Sequence, residues 1–306
     1  MNQSQTPLTN TTYGLVNADC FAEHLDNAQT TDWSSASSLT LATISSLSRG
    51  YNLSHLMDQF TAWYARGDYT ADRSVQMSDR TTIRSIEHYM INHDPFSSGS
   101  HQEQVVDNGA LLRIMPVVLF LNTEYGDDFV IDDPAMLTLH QITGLTHNQP
   151  TALITNGIYA MFVNELMAGE TPVDALEIAI DTAYDYYSKH NIFQEALIHF
   201  DQLNTPDFKN SNIESLTASN LAIDTLTACI WIILNSDSYA SAMALTLKLN
   251  GDPSSLLPLV GTTAAILYPV DGDAMTNLPK NGTNLIKRIL NIGNRSYRFQ
   301  RLELFN

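Results

Sequence analysis

Apolar residues recur at helical spacing along most of this chain, and that period limits the fold more than any other feature. One stretch beside Ser54, a predicted N-cap, carries the stripe Leu53, Leu56, Met57, Phe60, Trp63 and Tyr64. Similar stripes occupy residues 151–167 after Pro150, and residues 173–187, 220–234, 238–249 and 284–290. The sequence contains no series of alternating strands with hairpin turns. The pattern therefore predicts an all-α fold.

The predicted helices belong to a single domain. A chain of 306 residues is long enough for two domains, but no linker rich in Gly, Ser or Pro and no shift in composition divides it. Hydrophobic residues make up 44% of the sequence and charged residues only 16%, a balance typical of folded globular proteins. We predict one compact multi-helix domain over residues 1–306.

The chain is strongly acidic, with 33 acidic residues against 15 basic residues and a formal net charge of −18. This charge repels phosphate backbones, and the sequence offers no basic stripe for counterion release. Nucleic acid is therefore excluded as a partner. The acidity is explained either by solubility or adaptation to a salty or cold environment, or by a specific basic partner.

The sequence also lacks the usual signals for export or membrane insertion. The N-terminal MNQSQTPLTN has neither the basic start nor the apolar run of a signal peptide, and MPVVLFL and TACIWIIL are too short to span a bilayer. Cys20 and Cys229 lie among apolar residues, where a buried thiol is expected. We expect a cytoplasmic protein in a reducing compartment, with no membrane partner.

Polar residues collect in five connections between the predicted helices. They are DWSSASS from Asp32, QMSDRTT from Gln76, SSGSHQEQVVDNGALLR from Ser97, LTHNQP from Leu145 and NGDPSS from Asn250. In a helical domain such loops can build one concave site from separated segments. Each of them also has an ordinary structural explanation as a helix cap.

In their order and spacing these loops resemble the ADP-ribosylglycohydrolase family over residues 13–268. YGLVNADCFA is similar to the family's opening Gly-Leu-x-x-Gly-Asp-Ala-Leu-Gly helix, with Asp19 at the position of its acid. WSSASSLTLATISSL is similar to its Trp-Thr-Asp-Asp-Thr segment, and SDRTTIRSIEHY to its Asp-x-Gly-Asn-Thr stretch.

The resemblance continues through the second half of the chain. DNGALLRIMPVVL resembles the family's Gly-Asn-Gly-Ala-x-Met-Arg-x-x-Pro segment, and LTHNQP its Thr-His-x-His-Pro. Residues 219–255 follow the penultimate helix pair and end at the loop written Gly-Gly-Asp-x-Asp-Thr. The resemblance implies an all-α fold of the ADP-ribosylglycohydrolase type. It also implies the activity of hydrolases that remove ADP-ribose from modified side chains.

The same resemblance implies two Mg²⁺ or Mn²⁺ ions, held in the family by the Thr-Asp-Asp segment and the Asp-x-Asp-Thr loop. The corresponding positions here are Ser34, Ser35 and Ala36 in the segment and Asp252, Ser254 and Ser255 in the loop. Hard divalent cations need carboxylate charge to offset their lost hydration. We therefore expect no metal ligands and no cofactor, with a single weakly held divalent cation near Asp252 as the alternative.

Two positions in the middle stretch also depart from the family pattern. The family's acid falls on Met77 and its Asn on Arg80. Arg80 has two interpretations. It is either a helix-start charge or surface ion pair with Asp79, or a cation that fills the emptied metal site and pairs with Asp252 or Asp19.

The candidates for a catalytic acid or base are Asp19, Glu23 and Asp252. The stretch between Asp19 and Trp33 is shorter than the family's loop that covers the substrate and supplies an acid. Glu23 or Asp26 could replace that acid as a general base. A lone acid beside an amphipathic helix is also a common solvated residue.

The resemblance assigns ADP-ribose binding to Asn108, Gly109, His147 and Asp252. Gly109 lets the backbone approach the ligand, and the helix start behind it offers N–H groups to a pyrophosphate. His147 matches a position near that diphosphate, whereas the family's second His is Gln149 here. Without the resemblance, His147 would be read as a cap or a satisfied core histidine.

These features predict a catalytically impaired relative of the ADP-ribosylglycohydrolases that acts by binding. Its ligand would be ADP-ribose, an ADP-ribosylated protein, or a protein partner such as an ADP-ribosylating toxin, in an immunity or regulatory role. The first alternative is an active ADP-ribosyl hydrolase with a rebuilt site, which uses Asp19, Asp252 or Glu23 and one weak cation or none. The second is an interaction protein whose cleft is closed.

Overall fold

The computed structural model describes residues 6–26, 32–76, 79–102, 106–270 and 280–300. Within these ranges the helices are α1 (Pro7–Asp26), α2 (Ser35–Leu47), α3 (Leu53–Arg66), α4 (Arg80–Asn92), α5 (Met115–Tyr125), α6 (Asp133–Gly144), α7 (Pro150–Ala168), α8 (Pro172–Ser188), α9 (Asn191–Leu197), α10 (Ala222–Leu234), α11 (Tyr239–Thr246), α12 (Leu257–Leu267) and α13 (Lys280–Arg295). A two-residue strand, β1 (Thr217–Ala218), pairs in parallel with β2 (Asn250–Gly251). The predicted all-α, single compact domain is confirmed, while its extent over residues 1–306 stays a prediction.

The start of α3 differs from the predicted N-cap by two residues. The cap is Asn52, whose backbone is extended and whose Oδ1 accepts a hydrogen bond of 2.8 Å from the backbone N of His55. Ser54 lies inside the first turn instead, because a cap must stand outside the helical residues that it bonds. The helix ends at Gly67, whose φ of 67° lies in the left-handed region that favours glycine.

The centre of the molecule is α7, which is buried along most of its length. Pro150 occupies its first turn as predicted. The helices α6, α8, α10 and α12 pack around it, and the hydroxyl of Tyr159 lies 2.8 Å from Thr263 Oγ1 on α12. A helix that is apolar on all sides must lie inside the fold. Even so, no helix in the described ranges is long and apolar enough to cross a membrane.

The pair α1 and α12 makes the closest helix contact near the candidate site. A Cβ on Gly14 would lie 2.4 Å from the carbonyl oxygen of Gly261, and a Cβ on Gly261 would lie 2.5 Å from that of Gly14. Only hydrogen side chains allow the two backbones to approach this far. The contact holds the C-terminal half of α1, which carries Asp19, against α12 and the turn at 253–255 that precedes it.

Both cysteines are free thiols. Cys229 is buried in the core as predicted, whereas Cys20 on α1 is only half-buried. Burial raises the pKa of the Cys229 thiol to about 12 and also raises the pKa of Cys20. Since the thiolate is the reactive form, neither residue is a nucleophile near neutral pH.

Candidate functional site

Asp19 links α1 to the start of α2. Its carboxylate is 1% exposed, and Oδ2 accepts hydrogen bonds from the backbone N of Ser34 and of Ser37, each at 3.1 Å, and from Ser37 Oγ at 2.5 Å. Burial raises the pKa of the Asp19 carboxyl, and the hydrogen bonds from Ser37 and Ser34 act in the opposite direction. The N–H groups at a helix start otherwise lack partners, so this acid serves as a cap supplied by a neighbouring helix.

The segment after Trp33 is also a capping structure. Ser34 is the N-cap of α2, and its Oγ accepts a hydrogen bond of 3.0 Å from the backbone N of Ala36. Ser35 is half-buried, and Ala36 is buried. The oxygens of this segment therefore come from hydroxyl and backbone groups, without a carboxylate.

Asp252 directly follows β2, and its loop is joined to α10. Asp252 is exposed, and its carboxylate accepts a hydrogen bond of 3.1 Å from the backbone N of Ser254. The buried side chain of Asn108 donates to the carbonyl oxygen of Ser255 at 3.2 Å and to Thr225 Oγ1 at 2.9 Å. Asn108 thus fastens this loop to α10, and its amide nitrogen is occupied by protein atoms.

The backbone of Gly109 is covered by Asp79. A Cβ on Gly109 would lie 2.0 Å from Asp79 Oδ2, so the carboxylate occupies the space in front of this residue. Asp79 is the N-cap of α4 and accepts a hydrogen bond of 2.6 Å from the backbone N of Thr82. The glycine predicted to face ADP-ribose therefore faces a carboxylate of the same chain.

His147 is fully buried between two acids. Its Nε2 bonds to Oδ1 of Asp107 and lies 3.6 Å from Oδ1 of Asp79, while its Nδ1 lies 2.7 Å from Thr146 Oγ1. The second carboxylate oxygen of Asp107 accepts a hydrogen bond of 2.6 Å from Thr81 Oγ1. Burial opposes ionisation of Asp107, but its bond to His147 and the charge of that imidazole hold its pKa below the usual value.

The guanidinium beside this cluster belongs to Arg113. This side chain is buried, donates to the carbonyl oxygen of Gly109 at 2.6 Å, bonds to Thr146 Oγ1, and stacks 5.0 Å from the ring centre of Phe60. Burial lowers its pKa to about 10, and the charges of Asp79 and Asp107 act in the opposite direction. Arg80 is exposed as the first residue of α4, so the structure places it at a helix start on the surface. Met77 lies outside the described residues.

Two further acids lie near the end of α1. Glu23 lies one turn beyond Asp19 and is half-buried. Asp26 is the last residue of α1, and its side chain lies outside the described residues. The segment up to residue 31, which the family uses as a cover over the substrate, lies there as well.

The residues at the family's metal-ligand positions do not fit two divalent cations. Among the described residues of the first segment, Ser34 and Ser35 offer hydroxyls, and the acid nearest to them, Asp19, already caps α2. Asp252 is exposed and caps the turn that follows it. A dinuclear site needs several carboxylates directed at shared ions. No step of a two-metal hydrolysis can be drawn through these side chains.

The structure therefore brings the predicted loops together, but with other contacts than the sequence analysis assigned. Asp107 was not among the candidates, and Asp79 was considered only as a partner of Arg80. A signal for both was present, because each aspartate stands where the resembling family pattern has glycine. Both acids lie beside His147, where Asp107 Oδ1 bonds to Nε2 and Asp79 Oδ1 lies 3.6 Å from it.

Comparisons with known proteins agree with this fold. A family model described as ADP-ribosylglycohydrolase matches residues 3–281. ADP-ribosylarginine hydrolase Tri1 of Serratia proteamaculans (strain 568) is 22% identical over 251 residues, which are 81% of this chain and 62% of that protein. Tri1 of Pseudomonas putida (strain GB-1) is 20% identical over 219 residues, 69% of this chain and 51% of its own length. The chain thus spans little more than half the length of these relatives.

A solved ADP-ribosylglycohydrolase-related protein complex has the same fold, with a TM-score of 0.69, 18% identity, and coverage of 98% of this chain and 99% of the other.

Proposed function

Because the chain belongs to the ADP-ribosylglycohydrolase family, whose members hydrolyse ADP-ribosyl linkages, we propose that it recognises ADP-ribose carried on a protein and acts by binding. The observation that carries the proposal is the bonding of Asp19. Its Oδ2 accepts hydrogen bonds from the backbone N of Ser34 and from the backbone N and hydroxyl of Ser37 at the start of α2, and the neighbouring ligand positions hold serine and alanine. Metal-dependent hydrolysis through these positions has no support in the side chains.

The carboxylate that covers the backbone of Gly109 favours an ADP-ribosylated protein over free ADP-ribose as the ligand. A diphosphate placed against this residue would meet the carboxylate of Asp79, and the two anionic groups repel each other. Free ADP-ribose should therefore bind weakly, and contacts with the protein that carries it should supply much of the affinity. The relatives' name makes ADP-ribosylarginine the modification to test first.

A toxin that transfers ADP-ribose is the second kind of protein partner in this proposal. Covering such a partner requires a shaped surface and no catalytic ions. Such binding would give the chain an immunity or regulatory role. That role is inferred only by analogy with the fold. The cytoplasmic location expected from the sequence belongs to the same proposal.

The alternative function is hydrolysis by a rebuilt site, and one observation favours it. Three titratable side chains lie close together beside Gly109, namely Asp79, Asp107 and His147. Asp107 and His147 are buried. In that case Asp19, Glu23 or Asp252 would serve as acid or base, with one weak cation or none. A carboxyl group with a shifted pKa, such as Asp107, is a recognised mark of catalytic sites and also of structural ion pairs.

Two measurements on one substrate separate these functions. An arginine-ADP-ribosylated protein is immobilised, and binding of this chain is compared with binding to the unmodified protein and with competition by free ADP-ribose. Release of ADP-ribose from the same substrate is then followed with EDTA, with Mg²⁺ and with Mn²⁺. Glu23→Gln and Asp19→Asn accompany the parent chain in both assays.

We expect preferential binding to the modified protein, weak competition by free ADP-ribose, and no release under any metal condition. Release of ADP-ribose by the parent chain would establish the hydrolase instead, and loss of release in Glu23→Gln or Asp19→Asn would identify the residue on which it depends. Equal affinity for modified and unmodified protein would exclude recognition of ADP-ribose and leave the closed-cleft interaction protein.

A further inference from the structure

Two carboxylates and one imidazole form a compact group beside Gly109. One ligand atom from each of Asp79, Asp107 and His147 lies within 4.8 Å of the other two. The Nε2 atom of His147 lies 3.6 Å from Asp79 Oδ1 and in direct contact with Asp107 Oδ1. The three residues come from separate loops, which precede α4, follow residue 106 and precede α7.

Each of these side chains is held in place by a second contact. Thr146 Oγ1 fixes Nδ1 of His147 at 2.7 Å, which leaves Nε2 for the cluster. Thr81 Oγ1 holds Asp107 at 2.6 Å, and the backbone N of Thr82 holds Asp79 at 2.6 Å. Outer contacts of this kind orient metal ligands and set the imidazole tautomer.

A buried hydroxyl beside the cluster lacks a partner. Thr82 is 0% exposed, and its Oγ1 makes no hydrogen bond in the structure. A Cβ on Gly109 would lie 3.0 Å from this oxygen and 2.0 Å from Asp79 Oδ2, so the hydroxyl and the carboxylate share one small space. Buried hydroxyls are nearly always satisfied, and a water bound to an ion at this position would supply the missing partner.

The charges in the cluster also favour binding of a cation. Asp79 and Asp107 contribute two negative charges, and the guanidinium of Arg113 offsets one of them. A divalent cation at this position would balance the remaining charge. An imidazole nitrogen with two carboxylate oxygens suits Zn²⁺ and its neighbours in the transition series, whereas Mg²⁺ and Ca²⁺ prefer oxygen ligands alone.

We propose that Asp79, Asp107 and His147 bind one divalent transition-metal ion of the Zn²⁺ type. The site is distinct from the two ligand segments of the family, since it uses neither residues 34–36 nor the loop of Asp252. His147 is fully buried and Asp107 is 8% exposed, so the ion is structural and fastens three loops to each other. The inference does not depend on the proposed binding of ADP-ribosylated proteins.

The test uses the full chain, stripped with a chelator and then titrated with Zn²⁺ in a calorimeter. We expect one equivalent to bind, and Mg²⁺ at the same concentrations to give no signal. Asp107→Asn and His147→Gln should each weaken Zn²⁺ binding by about 100-fold or more, at or above the 10- to 100-fold cost of losing an outer contact. The matched control, Glu195→Gln with His199→Gln, removes an acid and an imidazole elsewhere on the surface and should bind like the parent.

Asp252→Asn is the discriminating variant, because loss of Zn²⁺ binding in it would move the ion to the family's loop and overturn the proposal. Since a cluster variant can fail to fold, the parent chain supplies an independent measurement. Crystals soaked in Zn²⁺ should show an anomalous peak at the zinc edge beside His147 Nε2. A peak only at other residues, or a parent chain that binds no Zn²⁺, would overturn the proposal.

Discussion

Asp19 and Ser37 lie on different helices, and the carboxylate of Asp19 accepts hydrogen bonds from both the backbone N–H and the hydroxyl of Ser37. The acid that matches the opening motif of the family is thereby a part of the helix packing. A position inherited from a catalytic centre can persist because the fold needs the same carboxylate as a cap. Retention of Asp19 is therefore no evidence for retained catalysis.

Asp19→Ala should lower the free energy of unfolding by about 2–3 kcal/mol, because it leaves three buried donors without an acceptor. Asp19→Asn keeps an acceptor oxygen and should cost about half as much. Urea unfolding measures both. Asp252→Ala, which removes an exposed cap, is the control and should cost less than about 1 kcal/mol. Similar losses for Asp19→Ala and Asp252→Ala would contradict the structural role of Asp19.

Placing the family's acids at their positions in this chain tests whether charge alone can build a metal site there. The triple variant Ser35→Asp, Ala36→Asp and Ser254→Asp should bind Mg²⁺, and saturating the site at 10–100 times Kd should stabilise it by about 1.4–2.7 kcal/mol. The melting temperature of the parent should hardly respond to Mg²⁺. Without metal the triple variant should be less stable than the parent, because the added carboxylates repel each other.

The uncharged triple variant with Asn at the same three positions is the matched control for shape. If Mg²⁺ fails to stabilise the aspartate variant, the surrounding loops have changed as well, and the family site cannot be rebuilt by charge alone.

Asp32 should make stability depend on pH between about 4 and 6. Burial, with a smaller contribution from Asp72, raises the pKa of this carboxyl to about 6, although the hydrogen bond from the backbone N of Trp33 acts in the opposite direction. A folded-state pKa above the unfolded value gives stability that is full below the unfolded pKa and is lost as pH rises through the folded pKa. Relative to Asp32→Asn, the parent should therefore lose about 1–2 kcal/mol between pH 4 and pH 7 after allowance for solvent screening. Parallel pH profiles for the two proteins would refute this linkage.

Gly261→Ala should destabilise the packing of α1 on α12. The added methyl would lie 2.5 Å from the carbonyl oxygen of Gly14 and 2.4 Å from the Cβ of Ala18, so the helices must separate. We expect a loss of about 2–3 kcal/mol in urea unfolding, at the upper end of overpacking costs. Gly169→Ala is the comparison, because nothing lies within 4 Å of that position and only its φ of +96° is unfavourable. It should cost about 1 kcal/mol, and a loss as large as that of Gly261→Ala would show that backbone strain explains both.

The helices could be predicted because their apolar period is a local property of the sequence. The stripe at 151–167 corresponds to α7, and the stripe at 173–187 to α8. The N-cap of α3 was placed at Ser54 instead of Asn52 because both residues are good caps, and only the backbone decides between them. The missing acids of the metal segments could also be read directly from residues 34–36.

The contacts of the site could not be predicted in the same way, because they join residues far apart in the chain. Asp107 and His147 are separated by 40 positions, and their bond depends on how the loop before α7 docks on the loop after residue 106. Arg80 and Arg113 both stand in family motifs, but one is exposed and the other is buried. Which of the two arginines is buried depends on tertiary packing, and the local sequence does not indicate it.

The order of synthesis gives the glycine contact between α1 and α12 a further consequence. A ribosome adding about 5–20 residues per second completes α1 roughly 10–50 s before the partner helix that contains Gly261. During that interval Ala18 and Ala22, which are buried together with Leu257 of α12 in the finished protein, have no α12 to cover them. The face of α1 that packs on α12 therefore stays uncovered for most of the elongation of the nascent chain.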